Sequence, residues 1–238
     1  MTTGPRILAV IPCYNESASI GKVLDDLNAH LPDVDTVVVD DGSTDNSYQI
    51  ASARTTTLRL SNNLGIGGAV QTGILYADRH GYDYCFQFDG DGQHRASEVA
   101  RLVAVAEKAD ASDIVIGSRY LTKGGDFRST FARRLGSRII CWTLRSCFGV
   151  RITDPTSGMR LLNKKAIALF AKDYPPDFPE PISLANALKH GLTATETTVQ
   201  MSAREHGVSS IVGFKPVSYM VRVTAYIVLS GLTKFRKT

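Results

Sequence analysis

The chain has no Cys-x-x-Cys pair. Its four cysteines, Cys13, Cys85, Cys141 and Cys147, are scattered, which excludes the zinc and dithiol redox sites built on that spacing. Three of them lie inside apolar segments, where a thiol behaves as a small hydrophobe, so reduced structural cysteines in a cytoplasmic protein are expected. Long hydrophobic runs are missing too. Ile7-Leu8-Ala9-Val10-Ile11 is too short for the apolar core of a signal peptide. The cleanest late stretch, Val223–Leu232, has ten residues, against the about 20 that span a bilayer. A strong charge of one sign is absent: the net charge of +4 gives no argument for nucleic acid, while favouring an anionic substrate or membrane surface. Repeats, low-complexity segments and an evident interdomain linker are also lacking.

At 238 residues with 43% hydrophobic content, the chain suits one large globular domain, or one with an appendage. Its first half alternates short β-branched runs with helical periodicity. Strands are expected at Ile7–Ile11, Thr36–Asp40, Thr57–Leu60, Tyr84–Asp89 and Asp113–Gly117. Helices are expected at Ser17–His30, Asp45–Ala53, Gly67–His80 and Ala96–Ala109. This alternation predicts right-handed βαβ units and a doubly wound sheet. Beyond Gly124 the pattern loosens into a long helix near Phe131–Phe148, a loop at Thr153–Gly158, a Pro-rich connection at Tyr174–Pro181 and an alternating stretch at Thr193–Met201.

Chemistry concentrates where strands end. Asp89-Gly90-Asp91-Gly92-Gln93-His94 follows the run Tyr84–Phe88, and Asp40-Asp41-Gly42-Ser43-Thr44-Asp45 follows Thr36–Val39. Carboxylates one residue apart across a glycine can grip one divalent cation, and hard oxygens favour Mg²⁺ or Mn²⁺ over zinc. Two such acidic turns suggest one site along the carboxyl edge of a parallel sheet. Pro12-Cys13-Tyr14-Asn15-Glu16 closes the first strand and offers a ring for a base to stack on. Asn62–Ala69 looks like a phosphate-cradling helix start, yet Val70 stands where a dinucleotide fingerprint needs its last Gly. Close packing of a helix N-terminus on the sheet explains these glycines equally well.

Together and in this order, the motifs resemble the family 2 glycosyltransferases of GT-A fold, within them most nearly the dolichyl-phosphate mannose synthase and polyprenyl-phosphate glycosyltransferase group. The resemblance runs from Ile7 to about Ile211. It is carried by Pro12-x-Tyr14-Asn15-Glu16, Asp40-Asp41-Gly42-Ser43-x-Asp45, Asn63-x-Gly65-x-Gly67-x-Ala69 and Asp89-x-Asp91-x-Gln93-His94. Further on stand Gly117-Ser118-Arg119-Tyr120, Arg133 with Ser137, Asp154-x-Thr156-Ser157-Gly158 and Met201-x-x-Arg204-x-x-Gly207-x-Ser209. The resemblance implies an α/β fold, Rossmann-like, with a mixed, mainly parallel sheet flanked by helices over residues 1–211 and a C-terminal amphipathic helical segment over 212–238. It places a UDP- or GDP-linked sugar donor on Pro12, Tyr14, Glu16, Val39, Asp41, Asn63, Gly67, Asp89 and Gly90. It assigns Mg²⁺ or Mn²⁺ to Asp89, Asp91 and Gln93, catalysis to Asp91, Arg119 and Arg204, and the acceptor phosphate to Arg119, Arg133 and Ser137. Two positions depart from the dolichyl-phosphate mannose pattern: Ser210 replaces a frequent Lys, and the acidic run near Glu180 is thinned.

A hydroxyl acceptor needs a general base, whereas a phosphomonoester is already mostly ionised at neutral pH and needs cations instead. Several arginines and one base candidate, Glu180, favour a polyprenyl phosphate. The alternative is transfer to a hydroxyl of a lipid-linked glycan, with Glu180 as base. A sugar-nucleotide pyrophosphorylase would begin with a Gly-rich, Arg-containing loop where Pro12–Glu16 stands, and an inactive nucleotide-binding scaffold would not need a metal site. Phe214–Leu232, interrupted by Lys215 and Arg222 and followed by Lys234, Arg236 and Lys237, reads either as a segment on the cytoplasmic face of a membrane (or on a small membrane protein) or as a core helix closing the domain.

Overall fold

The computed structural model describes residues 4–90, 94–108, 111–121, 131–200 and 215–233, without the side chains of 131–134 and 215–217. The apolar runs form strands β1 (Ile7–Cys13), β2 (Asp35–Asp40), β3 (Thr56–Arg59), β4 (Tyr84–Gln87) and β5 (Ile114–Ser118). The periodic segments between them form α1 (Ile20–His30), α2 (Ser47–Ser52), α3 (Gly65–Arg79) and α4 (Ala96–Ala106), and α5 (Phe131–Phe148) follows β5. Boundaries agree with the sequence expectations to within a few residues. The second half then holds β6 (Arg160–Asn163), α6 (Lys164–Lys172), α7 (Pro179–Lys189), β7 (Ala194–Thr198) and α8 (Lys215–Leu232).

The seven strands form one sheet in the order β3-β2-β1-β4-β6-β5-β7. All neighbours run parallel except β6, which is antiparallel to both β4 and β5. The chain steps outward from β1 to β3, and α3 then carries it back across β1 to β4. That reversal makes a switch point between β1 and β4, whose carboxyl ends open the crevice where such sheets bind ligands.

Successive strand residues point to opposite faces, and the central strands supply two cores. Leu8, Val10, Val37, Cys85, Ile114 and Ile116 meet α3, α5, α6, α7 and α8 on one side. Ala9, Ile11, Val38, Phe86, Val115 and Leu161 meet α1, α2 and α4 on the other. Gly73 marks the closest approach, since a Cβ there would collide with Val10; α3 therefore lies directly on the central strand. The cysteines are free, and burial raises the thiol pKa of Cys13 to about 12 and of Cys141 to about 11, as inert structural thiols should behave.

Two segments differ from the sequence expectation. The connection at Tyr174–Pro181 contains the first turn of α7, with Pro179 and Pro181 where a missing N–H costs little. The four-residue β6 abuts α6 with no loop, because Asn163 ends the strand while its Oδ1 accepts from the N–H groups of Lys165 and Ala166. At the C-terminal end, α8 packs on α5 and α7, burying Val223 and Ile227 completely while leaving Val221 and Leu229 exposed. Among the described residues no helix is long and apolar enough to cross a membrane.

Candidate active site

Asp89 follows β4 at the switch point, and its carboxylate is gripped on both sides. Gln87 Nε2 donates to Oδ1 at 2.9 Å. The Asp89 backbone N–H donates to His94 Nδ1 at 3.0 Å, so the neutral imidazole carries its proton on Nε2, which faces Asp89 Oδ2 at 3.4 Å. The His94 side chain is only 2% exposed and lies edge-on to Phe88. Asp89 itself keeps 31% of its side chain exposed, enough to reach a ligand. Two oriented hard oxygens suit Mg²⁺ or Mn²⁺. Among the described residues no group of three His, Cys, Asp or Glu side chains forms a metal cluster; the other expected ligands, Asp91 and Gln93, lie outside the described residues. Gly90 sits against β1: its carbonyl accepts from Ser19 Oγ at 2.7 Å, and a Cβ would lie 3.2 Å from the Pro12 oxygen.

The expected nucleotide residues gather at the neighbouring strand ends. Pro12 and Val39 are register partners in β1 and β2, and Tyr14 is exposed beside them. Asn15 takes a left-handed conformation (φ 54°), which costs a non-glycine residue of order 1–3 kcal/mol and persists only where the surroundings enforce it. The enforcement is visible. Asn15 N–H donates to Ser43 Oγ, and its Oδ1 accepts from Thr44 N–H and Oγ1. Glu16 N–H donates to Ser47 Oγ, and Glu16 Oε2 accepts from Ser19 Oγ. These contacts buckle the turns after β1 and β2 together. Asp45 completes the buckle: burial would raise its pKa, but hydrogen bonds from Ser47 and Ser17 hold it down to about 2.

Asp41, expected to read a base edge, also has a structural task. Its two oxygens accept from Leu64 N–H (2.7 Å) and Gly65 N–H (2.9 Å), satisfying amides at the start of α3. Burial raises its pKa against those hydrogen bonds. Asn63 Oδ1 shares the Gly65 amide. Gly67, expected to cradle phosphate, is explained by packing: a Cβ there would strike the carbonyl oxygens of Pro175 and Pro176.

Opposite Asp89, at the end of β5, Arg119 makes a fork on Asp154, with Nε to Oδ2 at 2.7 Å and Nη2 to Oδ1 at 2.8 Å; Nη2 also reaches Thr156 Oγ1 at 3.2 Å. Burial works against the charged guanidinium, but Asp154 outweighs it and raises the pKa. Asp154 is held in turn from β7: Glu196 Oε1 accepts the Asp154 N–H at 2.7 Å, and its Oε2 accepts from Thr153 N–H and Oγ1. Arg160, on β6, staples the loop from beneath, donating to the carbonyls of Pro155, Ser157 and Glu180. The Glu180 side chain, in the first turn of α7, is half-buried, and desolvation raises its pKa; Arg160 and Arg119 pull it down, and Asp89 pushes it up. Glu180 thus feels the charge of both Asp89 and Arg119.

Of the remaining expected residues, Ser137 is half-buried on α5. One turn along that helix, Cys141 Sγ donates to the Thr153 carbonyl at 3.6 Å, which lays α5 beside the Asp154 loop. Arg133 lies in the first turn of α5 with its side chain outside the described residues, and Arg204 lies outside them altogether. Sequence reasoning gave no role to Gln87, His94, Arg160 or Glu196. His94 and Asp154 stood inside recognisable motifs; Arg160 and Glu196 had no local signal.

Residues 8–170 match the family model described as Glycosyl transferase family 2. The chain is similar to a polyprenol monophosphomannose synthase of Mycolicibacterium smegmatis, 30% identical over 97% of this chain and 90% of that protein. It is similar also to a UDP-N-acetylglucosamine–dolichyl-phosphate N-acetylglucosaminyltransferase of Methanococcus voltae, 27% identical over 88% of this chain and 92% of that protein. Among solved structures, glucosyl-3-phosphoglycerate synthase of Mycobacterium tuberculosis, in complex with Mn²⁺, UDP-glucose and phosphoglyceric acid, superposes with TM-score 0.71 at 19% identity, covering 98% of this chain and 82% of that one. That last likeness shows the fold.

Proposed function

The chain belongs to glycosyl transferase family 2 and is a glycosyltransferase, and from that premise we propose that it moves a sugar from a UDP- or GDP-sugar to a polyprenyl phosphate with inversion at the anomeric carbon. The observation that carries the acceptor class is the near full-length similarity to two enzymes named for polyprenol- and dolichyl-phosphate acceptors. A Mg²⁺ or Mn²⁺ ion held by Asp89, with Asp91 and Gln93, would neutralise the charge that develops on the departing diphosphate.

In the proposed reaction, the nucleotide lies over the β1 and β2 ends, against Pro12, Tyr14, Glu16 and Val39, with the Asp41 carboxylate toward the base. Arg119, aimed by Asp154, presents its guanidinium to phosphate oxygens, joined by Arg204, Arg133 and Ser137. An ionised acceptor oxygen attacks the anomeric carbon, and the bond to the donor diphosphate breaks with its electron pair leaving on oxygen. No proton needs to move. One acceptor and no covalent nucleophile make a single displacement, so an α-linked donor gives a β-linked product. The protein works peripherally, on the cytoplasmic face of the membrane that holds the acceptor, docked there directly or through a small membrane protein.

One observation favours a second reading, transfer to a hydroxyl of a lipid-linked glycan. A half-buried Glu180 with a raised pKa, in electrostatic reach of Asp89 and Arg119, has the properties of a general base. Nucleoside diphosphate release, screened over UDP- and GDP-sugars with a short polyprenyl phosphate, tests between them. Release that depends on the prenyl phosphate and survives Glu180→Gln supports the phosphate acceptor. Release only with a glycan acceptor, lost by about 10²–10⁴-fold in Glu180→Gln, overturns it.

A further inference from the structure

The antiparallel strand brings a buried cation under the crevice. β6 runs against both β4 and β5, so its first residue, Arg160, rather than its last, stands at their carboxyl ends. Arg160 opposes Ile116 of β5, and the next residue, Leu161, opposes Phe86 of β4. Arg160 is 5% exposed, and among the described residues it forms no ion pair with a carboxylate. Its contacts are all to neutral oxygens. Nε donates to the Ser157 carbonyl at 2.9 Å, Nη2 to that of Pro155 at 2.7 Å, and Nη1 to the Glu180 carbonyl and to Ser183 Oγ. Burial lowers its pKa, and the charges of Glu180 and Asp154 offset part of that loss. A buried charge without a paired counter-ion contributes little to stability, since desolvation opposes it; what the guanidinium supplies is geometry.

The carbonyls it holds belong to the two segments that carry the site. Pro155 and Ser157 lie in the loop whose Asp154 aims Arg119. The same loop runs against Asp89: a Cβ on Gly158 would lie 3.5 Å from Asp89 Oδ2 and 3.0 Å from Gln87 Nε2. Glu180 stands in the first turn of α7, and Ser183 Oγ, one turn on, donates to the same Glu180 carbonyl at 3.2 Å. Arg160 also shares the wall of a small cavity with Gln87, whose amide holds Asp89 Oδ1. One guanidinium thus links the loop behind Arg119 to the turn that carries Glu180, beside the side chain that orients Asp89. A planar fork of donors can hold three carbonyls on two segments at once, which an ammonium on a flexible stem cannot.

We propose that Arg160 is a positioning residue for glycosyl transfer, which sets the spacing between Arg119 and Glu180 by tying the 154–158 loop to the first turn of α7. It acts through those two side chains and moves no proton. The inference rests on the proposed function only in that Arg119 meets a phosphate. It holds for a phosphate or a hydroxyl acceptor alike, because both reactions use the donor diphosphate.

Arg160→Lys keeps the charge and loses the fork, and Arg160→Met removes the charge as well. Each full-length variant is compared with the parent in three measurements. These are the melting temperature, the calorimetric affinity for Mn²⁺ with whichever of UDP and GDP the parent binds, and kcat for nucleoside diphosphate release with whichever acceptor the parent uses. Displacing a supporting residue of this kind costs about 10–100-fold in affinity or activity, and that loss is expected in both variants at temperatures where they remain folded. In an Arg119→Met background the same substitution should cost much less, because the side chain it aims is already gone. A merely structural Arg160 would lower the melting temperature and leave kcat and affinity of the folded protein at the parent's values, or give losses that add to those of Arg119→Met. Either result overturns the proposal. If neither variant folds, Ser183→Ala, which removes one Nη1 acceptor, carries the test: a several-fold fall in kcat at an unchanged melting temperature is expected, and an unchanged kcat overturns the proposal. A parent that releases diphosphate only with a glycan acceptor would overturn the acceptor reading and leave this test in place.

Discussion

Replacing Asp154 with alanine strips the Arg119 guanidinium of its counter-ion inside the protein. The pair is almost fully enclosed, with side chains 0% and 17% exposed, and its fork has two charge-assisted contacts of 2.7 and 2.8 Å. Removing one partner of such a pair costs about 3–5 kcal/mol, because the remaining charge stays desolvated. At about 2–4 °C per kcal/mol for a chain of this size, the melting temperature should fall by roughly 6–20 °C. Asp154→Asn keeps the volume and one acceptor and should cost less. A double-mutant cycle with Arg119→Met separates the pair from the loop it anchors: the double variant should recover part of the loss seen in Asp154→Ala, since it no longer buries an unpaired cation. Scanning calorimetry on the single and double variants reads both quantities. A drop of only a degree or two in Asp154→Ala, or strictly additive losses in the double variant, would refute the claim that Asp154 holds and balances Arg119.

Glu180 gives a pH signature of known sign. Its folded pKa lies above the ordinary 4.5 because burial disfavours the carboxylate, so the folded state holds this proton more tightly and stability declines as pH rises above 4.5 toward the folded value. Glu180→Gln should therefore gain melting temperature over the parent at pH 8 and lose that advantage toward pH 4; an equal difference at both pH values would contradict it. His94 acts through Asp89. His94→Phe, which keeps an aromatic ring beside Phe88 but cannot accept the Asp89 N–H, should weaken Mn²⁺ binding in the presence of nucleoside diphosphate by about 10–100-fold. Calorimetric titration of the metal reads this without turnover, and unchanged affinity would remove His94 from the site.

The parallel half of the fold was legible because β1, β2, β4 and β5 are largely buried apolar runs flanked by periodic helices. β6 was not: it has four residues, and Asn163 serves at once as its last residue and the cap of α6. The prolines that announced a loop at 174–181 instead start α7. In the site, Asp89 and the turn at Asp40–Asp45 could be found from their places after apolar runs. What fixes Arg119 could not, because Asp154 and Glu196 reach it from 35 and a further 42 residues away, and local spacing carries no trace of such contacts. The two readings of the C-terminal segment, membrane surface or core helix, could not be separated by hydropathy because α8 is apolar on both faces, with Val223 and Ile227 inside and Val221 and Leu229 outside. Cutting the chain after Ser210 would therefore remove core side chains, and surface substitutions are the cleaner test of the outer face.

The most direct test of the account is the identity of the product. The purified protein, Mg²⁺ or Mn²⁺, an α-linked nucleotide sugar that supports turnover and a short-chain polyprenyl phosphate are incubated together, and the lipid fraction is analysed by mass spectrometry and anomeric-proton NMR. The expected product is a polyprenyl monophosphate bearing one sugar in β linkage. A product with retained configuration would contradict the single displacement, and sugar found only on glycan hydroxyls, with the prenyl phosphate unmodified, would contradict the proposed acceptor.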